Sequence, residues 1–156
     1  MGEFEVIRST VIAAPRERVH ALIDDFHQWR DWSPWEDLDP NLERDYSGAP
    51  SGPGARYAWE GNRKAGKGAM EIVESTPDKV RLKLQFEKPW KATNDVDFTL
   101  TPAREGVGDT TTVSWRMAGE TKGLAGVVSK LFPMDRMVGK DFEKGLARLK
   151  SKAESG

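Results

Sequence analysis

The chain has 156 residues, 24 basic against 25 acidic side chains, 37% hydrophobic residues and no cysteine. That length and composition fit one globular domain, residues 1–156, able to bury roughly 70% of the surface an open chain exposes. The balanced charge argues against a nucleic-acid partner or electrostatic capture by an anionic membrane, and the missing cysteines exclude disulfides, thiol catalysis and cysteine-zinc sites.

The N-terminus, Met1-Gly2-Glu3-Phe4-Glu5, has neither the basic nor the apolar region of a signal peptide. No apolar run approaches the ~20 residues of a membrane helix. A cytoplasmic protein without stable membrane insertion is the expectation. The six tryptophans are unusual for this length; that much aromatic area must be buried or must line something.

The first stretch, Glu3 to Ala13, is rich in β-branched residues and predicts a strand. Ala14-Pro15 opens a helix, with proline at its first position and Val19, Leu22, Ile23 and Phe26 on one apolar face. A tryptophan-rich segment follows, with Trp29, Trp32 and Trp35. From Ser47 to Gly54 the chain is rich in Gly, Pro and Ser and predicts a loop. This loop leads into a strand and lacks the Gly-Lys-Ser/Thr ending, so it is not a phosphate loop.

The central strands can be set in register by arithmetic. Val80, Leu82, Leu84 and Phe86 alternate with charged and polar residues, the pattern of a half-buried strand. Pairing Ile72 with Leu82 and Met70 with Leu84, around the Thr76-Pro77-Asp78 turn, puts the apolar residues on one side. The same logic pairs Leu84 with Val96 and Leu82 with Phe98, then Leu100 with Val113, Phe98 with Trp115 and Val96 with Met117. Tyr57 and Trp59 fall opposite Ile72 and Met70. These registers align Glu71, Lys83 and Asp97 on the other, wet face, where opposite charges attract by roughly 0.2–1 kcal/mol per pair. The sheet is therefore antiparallel with one apolar face.

The end of the chain is helical. Leu124, Val127, Val128 and Leu131 mark a short amphipathic piece that stops at Pro133. Met134, Met137, Val138, Phe142, Gly145, Leu146 and Leu149 then continue at helical spacing. The only large apolar surface on which this stripe can be buried is the inner face of the sheet.

This order resembles the helix-grip fold of the START-related, or SRPBCC, superfamily, and its bacterial polyketide-cyclase-like branch in particular. The resemblance covers nearly the whole chain. It is carried by Ala14-Pro15 before Val19, by Trp32-Ser33-Pro34-Trp35-Glu36-Asp37-Leu38-Asp39-Pro40, by Tyr57-Ala58-Trp59-Glu60-Gly61-Asn62 and by Gly66-Lys67-Gly68. Further pieces are the segment Phe86 to Asn94, Val113-Ser114-Trp115 before Gly119, and Asp141-Phe142-Glu143-Lys144-Gly145-Leu146. It implies an α+β fold: a curved antiparallel sheet of about seven strands wrapped around a long C-terminal helix, with two short helices after the first strand. It also implies an internal cavity for a lipid, sterol, polyketide or similar molecule. Some relatives are cyclases or dehydratases, and others are chaperone activators that work through their surface. The superfamily has no common catalytic motif, so the resemblance implies a pocket without naming a reaction.

The residues available to line such a pocket are Trp32, Trp35, Tyr57, Trp59, Met70, Phe86, Asn94, Phe98, Trp115, Met117, Phe132, Met134, Met137 and Val138, with Trp29 beside them. Pockets for small molecules are mostly apolar with a few placed polar groups; the alternative for each side chain is plain core packing. The register turns Asn94 inward, where its amide must bond either a ligand or a backbone group. The ligand would enter between the tryptophan-rich segment and the terminal helix, near Pro133.

Other candidates have bland alternatives. His20, Asp24, His27 and Asp31 would form one metal-binding stripe on an unbroken helix, or a solvated helix flank if the helix breaks. Glu36, Asp37 and Asp39 are either general acids and bases near the pocket mouth or hydrated loop carboxylates. Asp95 and Asp97 face the wet side. Arg8 points either outward or inward, where it would anchor an anionic head group. The first reading is binding of a hydrophobic or amphipathic small molecule by a monomer or homodimer, without a cofactor or metal. The alternatives are a cyclase or dehydratase acting in the same cavity, and a chaperone-activator-like interaction module.

Overall fold

The computed structural model describes residues 2–34, 39–62, 66–88, 92–102, 110–121 and 134–155. Strand β1 (Gly2–Ile12) is followed by helix α1 (Arg16–Ile23) and a 3-10 turn (Gln28–Asp31). Six strands come next: β2 (Glu43–Gly48), β3 (Ala55–Glu60), β4 (Lys67–Thr76), β5 (Lys79–Lys88), β6 (Ala92–Pro102) and β7 (Thr111–Thr121). Helix α2 (Met134–Ser155) ends the described chain. The strands form one antiparallel sheet in the order β1-β7-β6-β5-β4-β3-β2. Phe142, Leu146, Leu149 and Ala153 of α2 are buried in the same core as the inward residues of β1, β6 and β7. This is the helix-grip fold that the order of elements predicts. No helix among the described residues is long and apolar enough to cross a membrane.

The predicted pairings of β4 with β5 at Ile72–Leu82 and Met70–Leu84 are present. So are the three predicted pairs between β6 and β7. Two registers differ from the expectation by two residues. Strand β5 pairs Leu84 with Asn94 and Leu82 with Val96, and β3 pairs Tyr57 with Met70 and Trp59 with Gly68. A two-residue shift keeps every side chain on its face, so alternation alone cannot detect it. On the outer face the charge ladder accordingly runs Glu71–Lys83–Asp95, with Lys83 Nζ 3.6 Å from Asp95. Asp97 instead sits between Arg81 and Arg116, 3.0 Å from each, and is only 8% exposed.

Two smaller differences concern the ends of elements. Helix α1 begins at Arg16, with Pro15 as its extended N-cap; a proline carbonyl there still accepts from Arg18 and Val19. Strand β2, which has no apolar alternation, includes Ser47 and Gly48. The loop after it turns on Gly48 at φ 74°, where an added Cβ would collide with the Gly54 carbonyl.

Helix α2 is held to β1 by charge as well as packing. Arg8 lies opposite Trp115, whose side chain is in the core, so it faces inward. Its guanidinium bonds Glu143 at 3.0 Å and the Ile7 carbonyl at 2.8 Å, and passes directly beneath Gly139. Lys150 Nζ donates to the Val11 carbonyl at 3.0 Å, and Glu154 accepts from the Ala13 N–H at 2.9 Å. These side chains occupy backbone groups along the free edge of β1, where an unblocked strand would invite another to pair.

Candidate functional site on the inner face of the sheet

The inner face divides into two regions. In the first, Trp115 of β7 stacks on Phe142 of α2, with ring centres 4.0 Å apart and planes 7° from parallel. Phe98 also stacks on Trp115, with ring centres 4.8 Å apart. Trp29 and Trp32, brought in by the 3-10 turn, meet Phe98 and Trp115 edge-on, a favoured aromatic geometry. Helix α1 explains why they fold inward. Its last carbonyls have no partner within the helix, and Leu22 and Ile23 accept the indole N–H groups of Trp32 and Trp29 at 2.9 and 2.8 Å. All these rings are at most 2% exposed. Gly145 lets α2 approach: a Cβ there would lie 2.8 Å from Pro34 and 2.9 Å from Trp115. Trp32, Phe98 and Trp115 are thus packed against protein on several sides, the arrangement of the core-packing alternative.

The second region lies toward the other end of β3 to β6. Here Trp59 spans Gly68, opposite it on β4; a Cβ on Gly68 would sit 2.7 Å from the indole. The edge of Phe86, on the next strand, meets this indole with ring centres 5.8 Å apart at 86°. Both rings remain partly exposed, while Tyr57, Met70, Leu84 and Met117 behind them are buried. Asn94 stands between Leu84 of β5 and Gly119 of β7. It is 4% exposed, and its Oδ1 is removed from water with no hydrogen-bond donor among the described residues. Of the other proposed lining residues, Trp35 and Phe132 lie outside the described residues. Met134, Met137 and Val138 belong to the first turns of α2, and their side chains also lie outside what is described.

The remaining candidates are scattered. Helix α1 stops at Ile23, so His20, Asp24, His27 and Asp31 do not form one stripe. His27 bonds Asp25 at 2.8 Å and stacks on Tyr46, and Asp31 meets Lys152 at 3.5 Å. His20 and Asp24 instead converge on Ser75 of β4. Ser75 donates to Asp24, so its oxygen accepts from His20 Nε2, 2.9 Å away. In that arrangement histidine cannot take the serine proton, as a nucleophilic triad requires; the cluster ties α1 to the sheet. Nothing in the alternation predicted Ser75 there. Val73 is an extra residue in β4 between the Ile72–Leu82 and Glu74–Arg81 pairs, and this bulge turns Ser75, rather than Glu74, inward.

Asp39 accepts from the backbone N–H groups of Asn41 and Asn62, both at 2.8 Å, which makes it a brace between two loops. Glu36 and Asp37 lie outside the described residues. Asp95 and Asp97 face the outer side as expected. Arg8 points inward, but Glu143 occupies its guanidinium, which leaves the head-group role without support.

Among the described residues, the inner face of this helix-grip fold has one end packed with aromatic rings and the other lined by apolar groups around Asn94. The family described as polyketide cyclase / dehydrase and lipid transport matches residues 3–154. The chain belongs to that family. No curated protein matches it. Among solved structures it is similar to CV1439 of Chromobacterium violaceum, with 15% identity, 96% of each chain covered and a TM-score of 0.63. It is likewise similar to the Aha1 dimer of Colwellia psychrerythraea, with 17% identity, coverage of 97% of this chain and 96% of that one, and a TM-score of 0.62. A third is jhp0584 of Helicobacter pylori, with 11% identity, coverage of 96% and 88%, and a TM-score of 0.67. At these identities the likeness is one of fold.

Proposed function

We propose that this protein binds a hydrophobic or amphipathic small molecule, such as a lipid or polyketide, for carriage or sensing. The site is the Trp59 end of the inner face, lined by Tyr57, Trp59, Met70, Phe86, Asn94 and Met117. The observation that supports it is the Trp59–Phe86 pair, which stays partly exposed although Tyr57, Met70, Leu84 and Met117 around it are buried. Aromatic surface left partly exposed beside buried apolar side chains suits a small-molecule site. Family membership supports the same reading. The cysteine-free sequence supports a cytoplasmic location.

The test is native mass spectrometry of the purified protein, followed by titration with lipids and aromatic polyketides read by tryptophan fluorescence. The expected result is a co-purifying or added small molecule and a saturable change that Trp59→Phe largely removes. No adduct and no saturable response across the panel would overturn the reading.

A further inference from the structure

The same site contains a polar atom that the fold does not use. Asn94 Oδ1 is buried and has no donor. The register explains why. Its cross-strand neighbours are Leu84 and Gly119, and Val96, next inward on β6, faces Leu82 and Met117. None of these carries a side-chain donor. The polar neighbours in sequence, Thr93 and Asp95, point to the outer, exposed face. A buried carbonyl oxygen without a partner is destabilising, whereas an apolar side chain of the same size would not be. Such an uncompensated group is ordinary where something other than the protein completes it.

We infer that the ligand of this pocket presents a hydroxyl or N–H group to Asn94 Oδ1 and is otherwise apolar around it. The inference rests on the pocket proposed above and adds the chemistry of its one polar contact. Oδ1 has almost no accessible surface, so the ligand must displace the side chains that cover it to bring its donor there. A molecule of the same shape lacking the donor leaves the amide unsatisfied and should bind about 10-fold more weakly or worse. Unsubstituted hydrocarbons and ligands that carry only acceptors at this position should therefore be discriminated against.

The experiment is calorimetric titration of the whole protein with matched sets: naphthol, naphthalene and methoxynaphthalene, and dodecanol against dodecane. The wild-type protein should prefer each alcohol over its hydrocarbon by about 10-fold or more, with methoxynaphthalene behaving like naphthalene. In Asn94→Leu the preference should collapse to parity. Asn94→Ala should give the same readout and serves if the leucine variant does not fold. Equal binding of alcohol and hydrocarbon by the wild type, or a preference that survives both substitutions, would overturn the inference while leaving the pocket standing. Equal affinity for naphthol and methoxynaphthalene, both above naphthalene, would also overturn it, because the amide would then be donating. Failure of every member of both sets to bind would remove the pocket itself, and the inference with it.

Discussion

The two ends of the inner face are built from the same residue types and are packed differently. At the Phe142 end, Trp29, Trp32, Phe98 and Trp115 stack on one another and on α2, and the indole N–H groups of Trp29 and Trp32 bond carbonyls of α1. At the Trp59 end, the aromatic pair is partly exposed, Gly68 and Gly119 contribute no side chain, and a buried amide is left without a donor. Aromatic content alone therefore does not mark a pocket.

The contrast is open to direct attack. The largest effect should come from Trp115→Ala, which empties the filled end and should cost about 3–5 kcal/mol, read from urea unfolding. A much smaller loss would mean that this end is not closely packed. Gly145→Ala should cost about 1–3 kcal/mol by the opposite route, because its methyl would press on Pro34 and Trp115; the same unfolding curves measure it. At the other end the sign should reverse. Asn94→Leu removes a buried unsatisfied oxygen and should stabilise the ligand-free protein by about 1 kcal/mol. A loss of stability there would show that the amide belongs to the core.

The smallest effect concerns the attachment of α2 at the end of β1. The Lys150 ammonium, and after it the Ala13 N–H, hold the Glu154 carboxyl below its ordinary 4.5. The unfolded chain therefore binds this proton more readily than the folded one. The contribution is complete above the ordinary value and is lost as pH falls through the lowered one. Glu154→Gln should flatten the acid limb of a stability-against-pH curve slightly and leave neutral-pH ligand binding alone. An unchanged acid limb would show that this contact adds nothing.

Much of the frame was legible in the sequence. Alternation in β5, the Thr76-Pro77-Asp78 turn and the helical stripe through Phe142 and Leu149 follow from local periodicity, and the motif pieces pointed to the family. The inward direction of Asn94 was legible for the same reason, since its face is preserved in any even register. The partners of Asn94 were not, because shifts of two residues are invisible to a period of two. Ser75 was hidden by the single extra residue Val73, which reverses the phase of β4 beyond it.

What the sequence determined by itself is the class of fold, the antiparallel sheet with one apolar face and the long gripping helix. Each follows from how apolar residues repeat along the chain. Only the tertiary structure decided which of the described tryptophans are fully buried and which stays partly exposed, where Arg8 finds its counter-ion, and that the cross-strand neighbours of Asn94 carry no side-chain donor. Those outcomes depend on which segments meet across the fold, and the distance between segments along the chain carries no record of that.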